Sequence, residues 1–335
     1  MSPRRIVVAS SWALLSCASA HAGERAGEAP EASASAAPAS RTPAEVDAFL
    51  GEYAPAPVDG PELRLPYSPT RLWFDGGFAS TDDLSALPYI TGSGRNFRLA
   101  AGGAWRWGDL AFTGELPFDV TTVDFLTLNN QPPRAGDTPQ TSVALGDLRL
   151  GADWTRHLGD GVLGGFGLRA RLPTHTTHYV FHLADGSTAS YYYPYYTHLE
   201  PTAILGGALG RFTFVLNQGA VVLTGPDGSF NGFYIHVPNI FFWDAAYAVS
   251  YAPVDVLAAS VELATDVQLN HIGGFDFTKL NDVRSVWIAP ALQLHVGGYR
   301  VDAVARFGLS QSANLFGIIE YAGKSSYTLR VSRTF

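Results

Sequence analysis

The chain has 335 residues but only one cysteine, Cys17, and only two lysines, Lys279 and Lys324. Cys17 lies in an N-terminal segment that we expect to be removed, so the mature chain has no thiol for disulfide bonds or cysteine chemistry. The formal net charge is −8. Such an acidic balance argues against nucleic acid as a partner, because affinity for phosphate backbones depends on clustered basic residues.

The chain also lacks long hydrophobic runs. After the first 22 residues, no stretch of about 18 apolar residues is free of charge, which excludes a helical membrane protein. Yet 47% of the residues are hydrophobic, 13% are aromatic and only 16% are charged. A closed β-barrel is the other structure that satisfies every backbone polar group in lipid.

The N-terminus has the three parts of a secretory signal peptide. Arg4 and Arg5 precede an apolar run over 6–15, and Ala20-His21-Ala22 offers a cleavage site before Gly23. The run is too short to span a membrane, which takes roughly 20 residues. We therefore predict a signal peptide over 1–22. A lipoprotein signal over 14–17, with Cys17 acylated, is the alternative.

Residues 23–70 form the next predicted region. Their first part is rich in Ala, Pro, Ser and Glu, a composition that cannot bury a core. Thr42 and Glu45 then fit a capping box with Pro43 at the first helical position, which predicts a short helix to about Tyr53. We predict a periplasmic low-complexity linker with a short helix, and we find no functional signal in it.

From 71 to 335 the pattern changes to segments of about 10–15 residues that alternate apolar and polar positions, as barrel strands do. We predict twelve strands, near 71–80, 95–107, 109–119, 141–156, 161–173, 198–209, 211–223, 238–252, 254–269, 284–297, 299–310 and 322–335. Tight turns are predicted at Gly108, Leu158–Asp160, Gly210, Pro253 and Gly298. Longer polar connections lie between them. Short turns that alternate with long loops are typical of bacterial barrels, with the short turns facing the periplasm.

Charged and large apolar residues occupy opposite faces of the predicted strands. Glu262 and Asp266, for example, alternate with Val261 and Leu263. A soluble sandwich would also segregate its faces, but it would not need aromatic residues near the short turns, as an interfacial girdle does. These aromatic residues are Trp105, Trp107, Trp154, Tyr251 and Tyr299. The sequence predicts an all-β fold, a transmembrane antiparallel up-and-down β-barrel of about 12 strands, after a signal peptide and a short disordered and helical lead-in.

The last predicted strand ends in Phe335. From Ser325 onward, one face is mostly apolar and the other fully polar. An aromatic terminal residue on such a strand is similar to the closing strand of bacterial outer-membrane barrels. The similarity implies that Phe335 belongs to a signal read by the barrel-assembly machinery.

One hairpin carries a more specific resemblance. Gly146-Asp147-Leu148 opens a strand, a turn follows at 159–161, and the next strand ends in Leu172-Pro173-Thr174. This resembles the outer-membrane proteins grouped as transporters of phenol-degradation (MetA-type) pathways, whose hairpin ends in Leu-Pro-Thr-Gly. His175 stands where that glycine is usual, and the match covers about thirty residues. The resemblance implies a barrel for the passage of small, often aromatic or apolar, compounds.

Charged residues on the predicted inner face are the candidates for contact with a solute. They are Arg98, Arg106, Glu115, Asp147, Arg149, Asp153, Arg169, Arg171, Asp244, Glu262, Asp266, Arg306 and Arg330. The lumen of a twelve-stranded barrel is wide enough for water and is readily narrowed by long side chains. Mixed charges there can select solutes. Alternatively, they pair across strands and keep the interior hydrated.

Other chemistry is weakly indicated. His175, His178 and His182 have a spacing that would bring them together only on a helix, and the neighbouring Thr176 and Val180 disfavour one, so we expect no metal site. The tyrosines within 191–196 suit outer-leaflet anchors, a constriction or an aromatic platform for a solute. We find no nucleophile, base and orienter in a recognisable pattern, and we expect neither a cofactor nor an enzyme.

We therefore predict an outer-membrane channel or passive transporter for small molecules, which works as a monomer. The expected partners are outer-membrane lipid, the barrel-assembly machinery and a small-molecule solute. A closed barrel with a structural or surface-binding role is the alternative. An outer-membrane hydrolase is a further, weaker one.

Overall fold

The computed structural model describes most of the chain after residue 40. The described ranges are 41–55, 63–81, 90–128, 139–174, 178–182, 188–192, 197–224, 228–230, 233–235, 239–269, 284–309 and 325–335. The predicted signal peptide, Cys17 and the first part of the linker lie outside these ranges. His175 lies outside them too.

The described residues contain one helix, α1 (Pro43–Tyr53), and seventeen strands. The strands are β1 (Arg71–Thr81), β2 (Ile90–Trp107), β3 (Leu110–Leu128), β4 (Gln140–Leu145), β5 (Leu148–Gly159), β6 (Val162–Leu172), β7 (His178–His182), β8 (Thr188–Tyr192), β9 (Thr197–Leu209), β10 (Phe212–Thr224), β11 (Gly228–Phe230), β12 (Phe233–Ile235), β13 (Ile240–Val254), β14 (Leu257–Gln268), β15 (Arg284–Val296), β16 (Tyr299–Gly308) and β17 (Ser325–Thr334).

The main sheet closes on itself. Neighbours along the chain pair antiparallel, and β1 pairs with both β2 and β17, so the first and last strands complete the ring. Both β4 and β5 pair with β3, and together they occupy the place of one strand in this ring, which we call the wall. The wall therefore has twelve strands, which confirms the predicted number. A closed ring leaves no edge strand unpaired.

The break between β4 and β5 falls at Gly146 and Asp147, inside what the sequence predicts as a single strand. Opposite the break, Pro117 has no backbone N–H to donate to the ladder. Its carbonyl instead accepts a hydrogen bond of 2.8 Å from the backbone N–H of Gly146. The strand resumes at Leu148 with the wall intact.

The short connections lie where the sequence predicts them, apart from shifts of one or two residues at two turns. The turn predicted at 158–160 falls at 160–161, because β5 continues to Gly159. Gly108 and Gly210 have φ of 59° and 57°, a left-handed conformation that glycine adopts without strain. The turn predicted at Pro253 lies slightly later, because β13 continues to Val254 with a register shift after Tyr251. Pro253 cannot donate to the ladder, which accounts for the irregularity at this point.

The long connections contain more structure than expected. β2 and β3 pair as far as Ile90 and Leu128, well into predicted loops, where β-branched residues favour strand. β7, β8, β11 and β12 form a separate four-stranded sheet. The sequence predicts these segments only as polar loops.

The outer face of the wall is apolar. Phe74 is 71% exposed, and nearly every wall strand carries other large hydrophobic side chains that are exposed on the same face. All five aromatic residues of the predicted girdle are exposed, with Trp107 at 69%. A continuous exposed apolar surface of this kind is stable in lipid and not in water. No helix within the described ranges is long and apolar enough to cross a membrane.

Helix α1 forms as predicted. Its capping box is complete: the Thr42 backbone N–H donates to the Glu45 carboxylate over 2.8 Å, and the Glu45 N–H donates back to the Thr42 hydroxyl over 3.4 Å. Hydrogen bonds from Thr42 lower the pKa of the Glu45 carboxyl. Pro43 begins the helix, where a missing N–H costs nothing.

Candidate functional site

The predicted inner-face charges lie on the side of the wall away from the exposed apolar residues. Eight of them are buried: Arg98, Arg149, Asp153, Arg171, Asp244, Glu262, Arg306 and Arg330. The others, Arg106, Glu115, Asp147, Arg169 and Asp266, are partly buried. Burial of so many charges on one face is stable only where they find partners or water. Their contact with a solute stays a prediction.

The first cluster joins strands β1, β3, β5 and β17. Arg330 forms a bidentate pair with Asp75 and lies 3.4 Å from Glu115. Glu115 also accepts hydrogen bonds from Arg149, over 2.9 Å, and from the indole N–H of Trp73, over 3.0 Å. Planar Arg–carboxylate pairs of this kind fix both side chains in direction. This cluster therefore gives one part of the lumen wall a rigid polar lining.

Further pairs continue around the wall. Arg98 binds Asp119 on the neighbouring strand over 2.7 Å. Arg169 and Arg171 lie 3.8 Å and 3.6 Å from Glu200. The sequence interpretation misses Asp75, Asp119 and Glu200, although all three have the inward parity of their strands.

The remaining charges lie on the far side of the wall. Asp244 and Asp266 stand opposite each other in the β13–β14 ladder. Glu262 is buried and attracted by Arg306, whose guanidinium lies 4.4 Å from the centroid of the Trp287 ring. The inner face is thus polar on both sides of the ring.

The described part of the predicted linker packs against this inner face. We call residues 42–55 and 63–70 the lumen segment. Val46 and Leu50 of α1 form an apolar cluster with Leu163 of the wall. Leu63 and Leu65 belong to a second cluster with inward-facing wall residues Val215, Ala246, Ala248, Ala264 and Trp287. The sequence predicts a periplasmic linker with a short helix here and gives no sign of these contacts.

Polar contacts from several wall residues hold the end of α1. Arg300 pairs with Asp302 over 2.8 Å and donates to the carbonyls of Glu52 and Ala54 over 2.9 Å and 2.8 Å. Gln293 donates to the Ala54 carbonyl over 3.1 Å. The Tyr53 hydroxyl donates to the Asp255 carbonyl over 2.8 Å. The bonds from Arg300 and Gln293 satisfy carbonyls of the kind that every helix leaves unpaired at its C-terminus.

The environment of this helix end also shifts its titratable groups. Burial, with the nearby charges of Glu52 and Asp255, raises the pKa of Tyr53 to about 12. Burial raises the pKa of the Glu52 carboxyl as well. The Glu52 carboxylate lies 3.8 Å from Nδ1 of His295. Glu52 therefore takes up a proton more readily in the packed position than it would in water.

Arg64 is the main anchor of residues 63–70, the part of the lumen segment that follows α1, which we call the 63–70 arm. Its backbone N–H donates to the Asn217 side chain over 2.5 Å, and the Asn217 amide donates to its carbonyl over 3.1 Å. Its guanidinium pairs with buried Asp153 and donates to the Glu200 carbonyl over 3.3 Å. Arg64 thereby connects the lumen segment to β5, β9 and β10 at once. Its position in a proline-rich stretch gives no sequence signal for this role.

Two spaces border the lumen segment. A cavity of about 70 Å³ separates Leu63–Leu65 and Ser68 from the wall cluster around Glu115. A cleft of about 520 Å³ lies beside α1, where Asp47 binds His157 over 3.0 Å and Arg106 lies 4.2 Å from the Tyr67 ring. Burial raises the pKa of Asp47, opposed by the nearby imidazole of His157. Phe335 also lines the cleft, and its backbone N–H donates to the Thr70 carbonyl over 3.0 Å.

No group of three or more metal-ligating side chains occurs among the residues that the structure describes. His178 and His182 are the first and last residues of β7. His175 lies outside the described ranges, so the expectation of no metal site at these three histidines stays a prediction.

Comparison with models of protein families gives no match. Comparison with curated proteins gives no match either. Solved structures do match. The translocator domain of the autotransporter NalP from Neisseria meningitidis is 13% identical with a TM-score of 0.50, covering 78% of this chain and 86% of that one. The NanC porin is 10% identical with a TM-score of 0.45, covering 79% and 98%. A FadL homologue of Pseudomonas aeruginosa is 10% identical with a TM-score of 0.41, covering 80% and 91%.

Identities this low bear on the fold alone. The match to the NalP translocator domain, at a TM-score of 0.50, agrees with the closed ring of strands described above. This chain therefore has the closed antiparallel architecture of bacterial outer-membrane β-barrels.

Proposed function

We propose that the protein is an outer-membrane channel for small molecules whose lumen is closed, in this conformation, by its own N-terminal segment. The observation that carries the proposal is the pairing of a charged inner wall with a separate, non-covalently held lumen segment. A wall that only had to be filled could use apolar side chains, which cost no desolvation. Mixed charges around a lumen instead suit the passage of hydrated or ionised solutes.

Polar atoms without partners support a hydrated interior. Among the described residues, buried side-chain atoms of Asn96, Ser250, Glu262 and Gln293 have no hydrogen-bond partner within the protein. Groups of this kind are nearly always satisfied by water in folded proteins. Water bound at these atoms would give a path that widens if the segment withdraws.

The class of solute follows from two considerations. The hairpin around Gly146–Leu148 and Leu172–Thr174 resembles transporters linked to phenol degradation, which suggests small aromatic or apolar compounds. The charged lumen favours ionised or polar ones. We propose small organic molecules with an apolar body and a polar or ionised group, since these satisfy both.

The alternative is a closed barrel with a structural or surface-binding role. It is favoured by the same packing of the lumen segment and by the ion pairs of the wall. It predicts that removal of the segment leaves the barrel non-conducting, because the charged side chains would then close the lumen themselves.

Reconstitution in planar bilayers and liposomes separates the two. A variant lacking residues 42–69 should conduct strongly and admit small solutes, whereas the full chain should conduct weakly or in brief openings. A variant lacking only 23–39 is the matched control and should behave like the full chain. If the variant without 42–69 inserts but shows no conductance and no solute flux above protein-free liposomes, the channel proposal is refuted.

A further inference from the structure

The small cavity between the lumen segment and the wall has an unusual lining. Five guanidinium groups border it, against only two carboxylates, Glu115 and Asp153. The five belong to Arg64, Arg71, Arg149, Arg169 and Arg330. Such an excess of buried positive charge needs compensation, because an isolated buried charge is very costly.

Four of these arginines have carboxylate partners. Arg64 pairs with Asp153, Arg149 with Glu115, Arg169 with Glu200, and Arg330 with Asp75. Each of the four therefore has a carboxylate partner within the protein.

Arg71 differs from the other four. It is only 6% exposed, and it forms neither an ion pair nor a side-chain hydrogen bond with any residue that the structure describes. Its Nε is buried without a hydrogen-bond partner. Its guanidinium instead faces the ring of Trp73, whose centroid is 5.6 Å away.

The electrostatic surroundings of Arg71 do not supply the missing anion. Its charged neighbours include Arg300 and Arg330, which repel it, and Asp302 and Asp75, which attract it. Both carboxylates already accept hydrogen bonds from other guanidiniums: Asp302 from Arg300, over 2.8 Å, and Asp75 from Arg330. Within the described part of the chain, Arg71 beside the cavity thus has no carboxylate in direct contact with its guanidinium.

We infer that this cavity binds the carboxylate of a small organic acid, with Arg71 as its principal ligand. A guanidinium presents paired N–H donors whose geometry matches a carboxylate. Leu63, Leu65 and Trp73 also line the cavity and suit the apolar end of the acid. This inference rests on the proposed channel and names a class of solute for its lumen.

The size of the cavity limits the ligand. With the lumen segment in place, about 70 Å³ is open. On the same measure a single water needs about 10–15 Å³, so the space holds a few non-hydrogen atoms and suits a small acid such as acetate. Larger acids would have to displace Leu63–Leu65. The site therefore lies at the boundary between the lumen segment and the wall. Binding of the acid there and closure of the lumen by the segment should influence each other.

The test uses the full mature chain in detergent, with acetate as the probe and saturation-transfer NMR as the readout. Acetate should bind saturably, and Arg71→Gln should weaken it at least about tenfold, because one charge-assisted bidentate contact is lost. Arg211→Gln is the matched control, since it removes an arginine that is 51% exposed at a turn. It should leave binding unchanged within about twofold.

Neutral and phosphate probes test the chemistry. Acetamide has nearly the same shape without the charge and should not bind. If wild type shows no saturable acetate binding, if acetamide binds equally well, or if Arg71→Gln binds like wild type, the inference is overturned. Tighter binding of inorganic phosphate than of acetate overturns the assignment to a carboxylate.

A second variant covers the case in which Arg71→Gln does not fold, which heat-modifiable gel mobility reveals. Arg71→Lys keeps the charge but loses the planar pair of donors, and it should weaken acetate binding several-fold. Unchanged binding in Arg71→Lys then overturns the inference. Conductance separates the two proposals: acetate binding without conductance after removal of 42–69 refutes the channel alone, and conductance without acetate binding refutes the carboxylate site alone.

Discussion

The wall and the lumen segment are stabilised in different ways. The wall is a closed series of backbone ladders, such as the pairing of β2 with β3 from Ile90 to Trp107. The lumen segment contains one short helix and is held by apolar contacts of its leucines with the wall and by a few directed bonds, chiefly from Asn217, Gln293 and Arg300, and by the Arg64–Asp153 pair. Loss of a single anchor weakens the packing of the segment and removes almost nothing of what holds the wall. The two parts can therefore respond separately to mutation.

The largest expected effect comes from Arg64→Met, which should open the lumen without unfolding the wall. Breaking a buried ion pair costs about 3–5 kcal/mol, since the remaining charge is left uncompensated. In the Arg64→Met variant the uncompensated charge is Asp153, and it is buried only in the closed conformation. The cost therefore falls on the closed conformation. Open probability in planar bilayers should rise by about a hundredfold or more.

Arg95→Met is the control for that change. Its pair with Asp124, at 3.4 Å, is largely exposed, so its loss should cost less than about 1 kcal/mol. Equal open probabilities in the two variants would contradict an anchoring role for Arg64.

The next effect concerns the wall alone. Leu263→Arg places a charge on the lipid-facing side in the middle of β14, where Leu263 is 45% exposed. The cost should be about 2–4 kcal/mol at the membrane midplane. Leu209→Arg, beside the short turn at Gly210, should cost about 0–1 kcal/mol because it lies near the interface. Reversible denaturant unfolding in lipid vesicles measures both, and similar losses would contradict the proposed position of the membrane.

A smaller effect is expected for Asn217→Ala. Asn217 binds both the backbone N–H and the carbonyl of Arg64, and leaving such groups unpaired costs about 1–3 kcal/mol. Open probability should increase by about tenfold, with unfolding of the wall unchanged.

Gln218→Ala is the matched control, one residue along β10. Gln218 is exposed, and its amide donates to the hydroxyl of Tyr247 on the neighbouring strand over 3.1 Å. Because it lies on the outer face, its substitution should not change gating. A gating change of the same size would show that the effect comes from β10 itself and not from the contact with Arg64.

The smallest effect is a dependence of closure on pH. Burial raises the pKa values of Asp47 and Glu52 in the packed position above their ordinary values of 3.8 and 4.5. A raised carboxyl pKa means that the closed state binds protons more readily, so closure is strongest below the ordinary pKa and weakens as pH rises through the raised one. Both groups are partly exposed, so solvent screening keeps the change small.

Open probability should therefore fall as the periplasmic side is acidified from about pH 7 towards about pH 4. Asp47→Asn should flatten the response, and Asp160→Asn, at an exposed turn, should not. An open probability that rises on acidification would contradict the assigned sign.

How much the sequence predicts also differs between the two regions. The twelve wall strands can be predicted because a period of two, with charge on one face, is a local signal that repeats along the chain. The break at Gly146 and the extension of β2 and β3 cannot, since both depend on what the partner strand offers. The short strands β7, β8, β11 and β12 have too few residues for a period to show.

Within the lumen segment, only the helix α1 can be predicted from the sequence. Its capping box is local, but its position depends on contacts such as Arg64 with Asp153 and Asn217, which are separated by 89 and 153 residues. Nothing periodic marks Arg64 as a partner of the lumen. Composition alone therefore indicates a linker.

Hydrogen–deuterium exchange of the full mature chain in lipid nanodiscs tests the central claim most directly. Amides of α1 and of the 63–70 arm should exchange far more slowly than an unstructured peptide, yet faster than the central residues of β9 and β10, since the segment is packed inside a more stable wall. Exchange of 43–53 and 63–70 at the rate of an unstructured peptide, with the wall protected, would contradict a lumen closed by this segment.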